Sequence, residues 1–154
     1  MSRSIARGLC AATLTLAGAV AHIGGSSAGP ASTVVLEATL TGPYLHTTAK
    51  GTGTATITFY ATKACWKFTY NGIDPPNISG IHRVPPPPAG YHKTSVFPFT
   101  ATTSTRPGCE ALDRWGAQGP KWAAKIVANP GTYYVIIGTG RYPNGAIGGV
   151  LHNG

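Results

Sequence analysis

His82 and His92 stand either side of a run of four prolines in GIHRVPPPPAGYH, residues 80–92, in a chain with only five histidines. Two imidazoles across a stiff segment suggest half of a metal site. Copper and zinc want three or four nitrogen or sulfur donors converging at about 2.0–2.3 Å, most economically drawn from a tight pair such as His-x-His or His-x3-His. This chain has no such pair: beyond the first thirty residues its histidines are His46, His82, His92 and His152. His82 therefore reads as a strand residue and His92 as a loop residue, and no metal or other cofactor is expected.

The remaining chemistries find fewer parts. A hydrolytic triad needs a serine with a histidine and an acid, yet no Gly-x-Ser-x-Gly elbow occurs and the acids are only Glu37, Asp74, Glu110 and Asp113. Paired carboxylates for glycoside cleavage would have to come from the same four, and Glu110 with Asp113 read instead as the approach to a helix, where acids are favoured. No phosphate-cradling loop is present. The expectation is that the protein is not an enzyme.

The segments that must position these side chains begin after residue 31. Arg3 and Arg7 precede an uncharged, mostly apolar stretch from Gly8 to Ile23, and small residues come next in GGSSAGPA, the layout of a secretory signal peptide cleaved after Ala28 or Ala31. The stretch is too short and too rich in Gly, Thr and Ala to read as a membrane span. The expected organisation is a leader over 1–31 and one domain over 32–154, secreted or held in the cell envelope. In an oxidising compartment Cys65 and Cys109, the two cysteines that remain once Cys10 leaves, should pair. Closing that loop stabilises a small domain by roughly 3–4 kcal/mol in the chain-entropy treatment.

Twelve basic residues face four acids, for a formal net charge of +8. Losing Arg3 and Arg7 leaves ten against four, about +6. The lysines are scattered singly rather than clustered in a stripe interleaved with aromatics, so nucleic acid is not the expected partner. The charge reads as solubility and a weak attraction to anionic envelope material.

From residue 33 onward period-two patterns dominate the chain. TVVLEATLT (33–41) alternates, as do TGTATITFY (52–60) and KACWKFTY (63–70), the last two forming a hairpin. NISGIHRV (77–84) is a further strand ending at the prolines. TSVFPFTAT (94–102) carries Pro98, which confines it to an edge or a bulge. One short helix is expected near 120–129, with Pro120 in its first turn, Trp122 and Ile126 on one face and Pro130 ending it. GTYYVIIGTGRYPNGAIGGVLHNG (131–154) holds two more strands around the hairpin signal Asn144-Gly145. The fold class is all-β, an antiparallel β-sandwich of six to eight strands with that single helix.

The end of the chain resembles the chordin-type (CHRD) domain, a module of exported proteins. Asn129, Pro130, Tyr133, Tyr134, Val135, Thr139, Tyr142, Pro143, Gly145, Ile147, Gly149 and Leu151 follow its closing pattern. Leu40-Thr41-Gly42, Gly53 to Thr56 and Ile81-His82 resemble its earlier landmarks, so the similarity runs from about 34 to 152. The chain resembles a divergent member of bacterial type: Gly80 stands where the pattern has the first His of His-Ile-His, Ile136 and Gly138 where it has Asn and His, and Gly148 where it has Arg. Ile136 and Gly138 share one strand face, so a polar surface is lost there as a unit.

The resemblance implies an exported, non-enzymatic binding or structural module with an extracellular or envelope ligand. Its expected contact surface is the loop carrying His82, Arg83, Tyr91 and His92, with the turn at Arg141 and Tyr142 nearby, because Arg and aromatic side chains anchor interfaces. The alternative is a copper- or zinc-binding or redox protein using His82 and His92 on a sandwich like that of superoxide dismutase.

Overall fold

A computed structural model describes residues 32–83, 95–99 and 107–154. The expected leader, the proline run, Tyr91 and His92 lie outside these residues. The strands are β1 (Val34–Thr41), β2 (Thr52–Phe59), β3 (Lys63–Asn71), β4 (Pro76–Arg83), β5 (Ser95–Phe99), β6 (Gly108–Ala111), β7 (Tyr133–Thr139), β8 (Ile147–Val150) and β9 (His152–Asn153). The helix α1 (Gly119–Ala128) is the single α-helix among the described residues, with Pro120 in its first turn and Asn129 at its C-cap. It is neither long nor apolar enough to cross a membrane.

All pairings are antiparallel, and eight strands follow one hydrogen-bonded path, β5-β4-β7-β8-β1-β2-β3-β6, with β9 beside β1. The all-β expectation and the single helix hold. The nine strands among the described residues, one more than the upper bound read from the sequence, belong to one continuous sheet, because β1 pairs with β2 on one side and with β8 on the other. The sheet curls until its ends face each other. Phe97 of β5 lies 5.8 Å, centroid to centroid, from Phe59 of β2, and Phe99 stacks on Trp66 of β3 at 4.6 Å. Sandwich-like packing is thus achieved by one sheet folded over itself.

The inner face arises from the period-two patterns. Leu36, Leu40, Ile57, Phe59, Trp66 and Phe68 are buried there with Ile81, Val135, Ile137 and Ile147 from the other arm of the curl. Threonines 54, 56 and 58 turn outward, where their branched side chains suit a pleated surface. Pro98 sits where an imino acid is tolerated, on β5 at the end of the strand order, and the β4–β5 register shifts between Ile81 and His82. Close approach of β8 to β1 requires Gly149, since a side chain there would run into the Thr39 carbonyl.

The connection from β6 to β7 differs from the sequence reading at its start. Glu110 does precede a helical segment, and Asp113 lies in that segment's first turn, but Glu110 itself belongs to a short strand: β6 pairs with β3 with Cys65 directly opposite Cys109, and the two form the expected disulfide. That covalent tie holds a four-residue segment extended before a 3-10 stretch, Leu112–Gln118, begins. Glu110 accepts an ion-pair contact from Arg114 at 2.9 Å. Trp115 then meets Phe97 edge-on, and its indole N–H donates to the Pro98 carbonyl at 3.3 Å. Ala123 and Ile126 of α1 join the main core, with Trp122 half-buried beside them.

Candidate functional site

Strand β7 is buried at every residue, which an antiparallel strand achieves only when both sheet faces are covered. Its inner face meets the main core. Its outer face carries Tyr134, Ile136 and Gly138, and across the neighbouring strands the register sets Gly80 and Gly148 beside Ile136, and Ile78 beside Gly138. All four positions that depart from the CHRD-type pattern therefore meet on one outward surface.

That surface is filled by apolar groups. The 3-10 turn Pro43–Leu45 lays Leu45 over Gly148, where an added Cβ would come within 2.8 Å of the leucine side chain, and Ile78 occupies the space above Gly138. Leu45, Tyr134 and Ile136 form a second small core, with Tyr44 and Ile78 against it. The rings of Tyr44 and Tyr134 are 5.8 Å apart. Burial, assisted by the neighbouring Tyr44, pushes the Tyr134 phenol up to about 12, and burial raises Tyr44 as well. The Tyr44 hydroxyl is buried without a hydrogen-bond partner among the described residues.

His82 belongs to this packing. It is 3% exposed and lies 5.5 Å from the Tyr134 ring, opposite Tyr134 in register. Arg83 comes next as an exposed residue at the strand end, opposite Tyr133. Tyr91 and His92 lie outside the described residues, and among those residues no three His, Cys, Asp or Glu side chains gather as a metal would require.

Arg141 and Tyr142 are not near His82. They follow the other end of β7, where Thr139 pairs with Pro76, six residues along β4 from His82. At roughly 3.3 Å per residue this is about 20 Å. The expectation of one shared surface is corrected by the antiparallel β4–β7 pair, which sets the two groups at opposite ends; neither strand direction nor register is visible in the sequence.

At its own end of the sheet the Arg141 turn meets two other loops. Residues Thr48, Ala49, Lys50, Gly72, Ile73, Asp74, Arg141 and Tyr142 line a cleft of about 440 Å³. A second hollow of about 370 Å³ adjoins it, sharing Thr48, Arg141 and Tyr142 and adding His46 and Asn144. Thr48 Oγ1 and the Tyr142 hydroxyl share a hydrogen bond of 3.2 Å. The Thr47 hydroxyl donates to the Ala146 carbonyl at 3.0 Å, fastening the 46–50 loop to the hairpin turn. The Arg141 guanidinium lies 5.6 Å from the Tyr142 ring centroid.

Lys50, His46 and Asp74 are not singled out by the sequence. Lys50 and Asp74 carry one signal, nearness to Gly51 and Gly72, which stand just outside the open end of the β2–β3 hairpin, and His46 carries none. That signal places Lys50 near Asp74 but says nothing about Arg141, which arrives through the β8–β1 pairing.

A family model described as the CHRD domain matches residues 32–151, most of the chain. No curated protein and no solved structure matches.

Proposed function

This chain belongs to the CHRD domain family, and from that premise we propose that it is an exported, non-enzymatic binding module that engages an extracellular or envelope ligand through the cleft between Lys50 and Arg141. CHRD domains are of extracellular type. The leader-like residues 1–31 and the Cys65–Cys109 disulfide support export, since such bonds persist in oxidising compartments.

The observation that carries the choice of surface is that Lys50, Arg141 and Tyr142 face one cleft, whereas the outer face of β4, β7 and β8 is occupied by its own Leu45 and Ile78. Long cations and an aromatic ring hold ligands by charge, hydrogen bonds and area. The ligand class is an extracellular one, and nucleic acid is not proposed as a partner.

Expression of the full gene followed by N-terminal sequencing of the exported protein tests the compartment; the expected first residue is Gly29 or Ser32. Retention on isolated envelope material tests the surface. Arg141→Ala or Tyr142→Ala should reduce retention at least tenfold while Arg83→Ala, at the opposite end of the sheet, leaves it unchanged. Equal retention of all four proteins would refute the assignment.

A further inference from the structure

Resting on that reading of the cleft, we infer that its ligand is an acidic saccharide, a chain of sugars bearing one carboxylate per ring. The two hollows meet at Thr48, Arg141 and Tyr142, so the depression passes on either side of the tyrosine and is elongated. Each hollow is within the size range of small-molecule sites. A linear ligand fills both.

Charge selects the class of chain. Lys50 lines one hollow, His46 the other, and Arg141 both. Among the described residues neither Lys50 nor Arg141 stands within salt-bridge distance of a carboxylate; the described ion pair is Arg114 with Glu110. A neutral saccharide would cover these cations without offering them an anion. A carboxylate matches the planar fork of Arg141 in two parallel hydrogen bonds, which is the geometry that guanidinium favours.

Asp74 narrows the choice further. It lies in the same hollow as Lys50 and Arg141, where it repels a doubly charged inorganic phosphate more strongly than a singly charged carboxylate and accepts hydrogen bonds from sugar hydroxyls. Thr48 and Tyr142 add two hydroxyls; the bond they share uses one O–H, which leaves the other O–H as a donor and lone pairs on both oxygens as acceptors. Ile73 and the Tyr142 ring supply apolar area for the C–H face of a sugar. One anion per ring, surrounded by hydroxyls, is the composition that this mixture of two cations, one acid and two hydroxyls complements.

Titration calorimetry of the exported protein with trigalacturonate, maltotriose and inorganic phosphate tests the inference. Trigalacturonate should bind saturably and weaken as salt is raised. Arg141→Ala should weaken it at least tenfold and Arg141→Lys several-fold, with Arg83→Ala unchanged and the circular dichroism of every variant matching the parent. Maltotriose binding as tightly, phosphate binding more tightly, or an Arg141→Ala variant of parental affinity would overturn it. If trigalacturonate fails to bind while Arg141→Ala still loses envelope retention, the saccharide falls and the cleft stands. If retention too is indifferent to Arg141, both fall.

Discussion

Thr48 and Tyr142, 94 residues apart in the chain, share a hydrogen bond of 3.2 Å at the place where the two hollows meet at one end of the sheet. It joins the loop after β1 to the turn before β8, the two strands that make the sheet continuous. The bond is exposed, so its energetic share is small and its value is positional.

Tyr142→Phe should therefore lower unfolding stability by no more than about 1 kcal/mol, the usual net worth of a hydrogen bond. Urea titrations of parent and variant measure this. Tyr142→Ala also removes the ring beside Arg141 and should cost ligand retention well beyond any change in stability. A Phe variant that unfolded outright would show the loop closure to be a determinant of folding.

Gly138 and Ile78 should behave as a coupled pair. A Cβ at Gly138 intrudes on the Ile78 side chain, so Gly138→Ala should destabilise by about 1–3 kcal/mol, the ordinary cost of overpacking. Ile78→Ala makes room. The double variant should lose less than the sum of the singles, with a coupling of about 0.5 kcal/mol or more. Strict additivity in a double-mutant cycle would mean that Ile78 does not fill the space the glycine leaves.

Breaking the disulfide with paired Cys65→Ser and Cys109→Ser changes should cost about 4 kcal/mol, given the 44-residue separation that it closes. The same shift should appear when the parent is unfolded in the presence of a reductant. A loss below about 1 kcal/mol would indicate that β3–β6 pairing and the packing of α1 already restrict the unfolded chain.

Tyr134 makes stability depend on alkaline pH. Its phenol is held up at about 12, chiefly by burial, against an ordinary value of 10. The folded state thus holds this proton more tightly than the unfolded state does. The resulting stabilisation is complete below pH 10 and is lost progressively as pH rises from 10 towards 12. Absorbance at about 295 nm should show tyrosine ionisation delayed beyond the ordinary range, and Tyr134→Phe should flatten the decline in stability across that window. A parent whose tyrosines all titrate near 10 while still folded would contradict the burial of this ring.

Much of this architecture is legible in single residues. Alternation in 33–41 and 52–70 fixes three strands, because a half-buried strand must alternate. Pro98 fixes an edge, because it has no N–H to give. Asn144-Gly145 fixes a hairpin, and Pro120 with Pro130 brackets the helix. Residues 129–151 carry the family resemblance, and the pairing of Cys65 with Cys109 is expected from the compartment that the first 31 residues imply. These are local rules of backbone geometry and chemistry, so they can be read along the chain. Pairing order and curl obey no local rule. They depend on which apolar faces can be buried together, and only the tertiary structure decided that β1 joins β2 to β8, that His82 and Arg141 occupy opposite ends of the sheet, and that Lys50 and Asp74 stand beside Arg141. The candidate site rests on those long-range choices, which explains why the sequence disclosed two of its residues, Arg141 and Tyr142, but not the cleft they share.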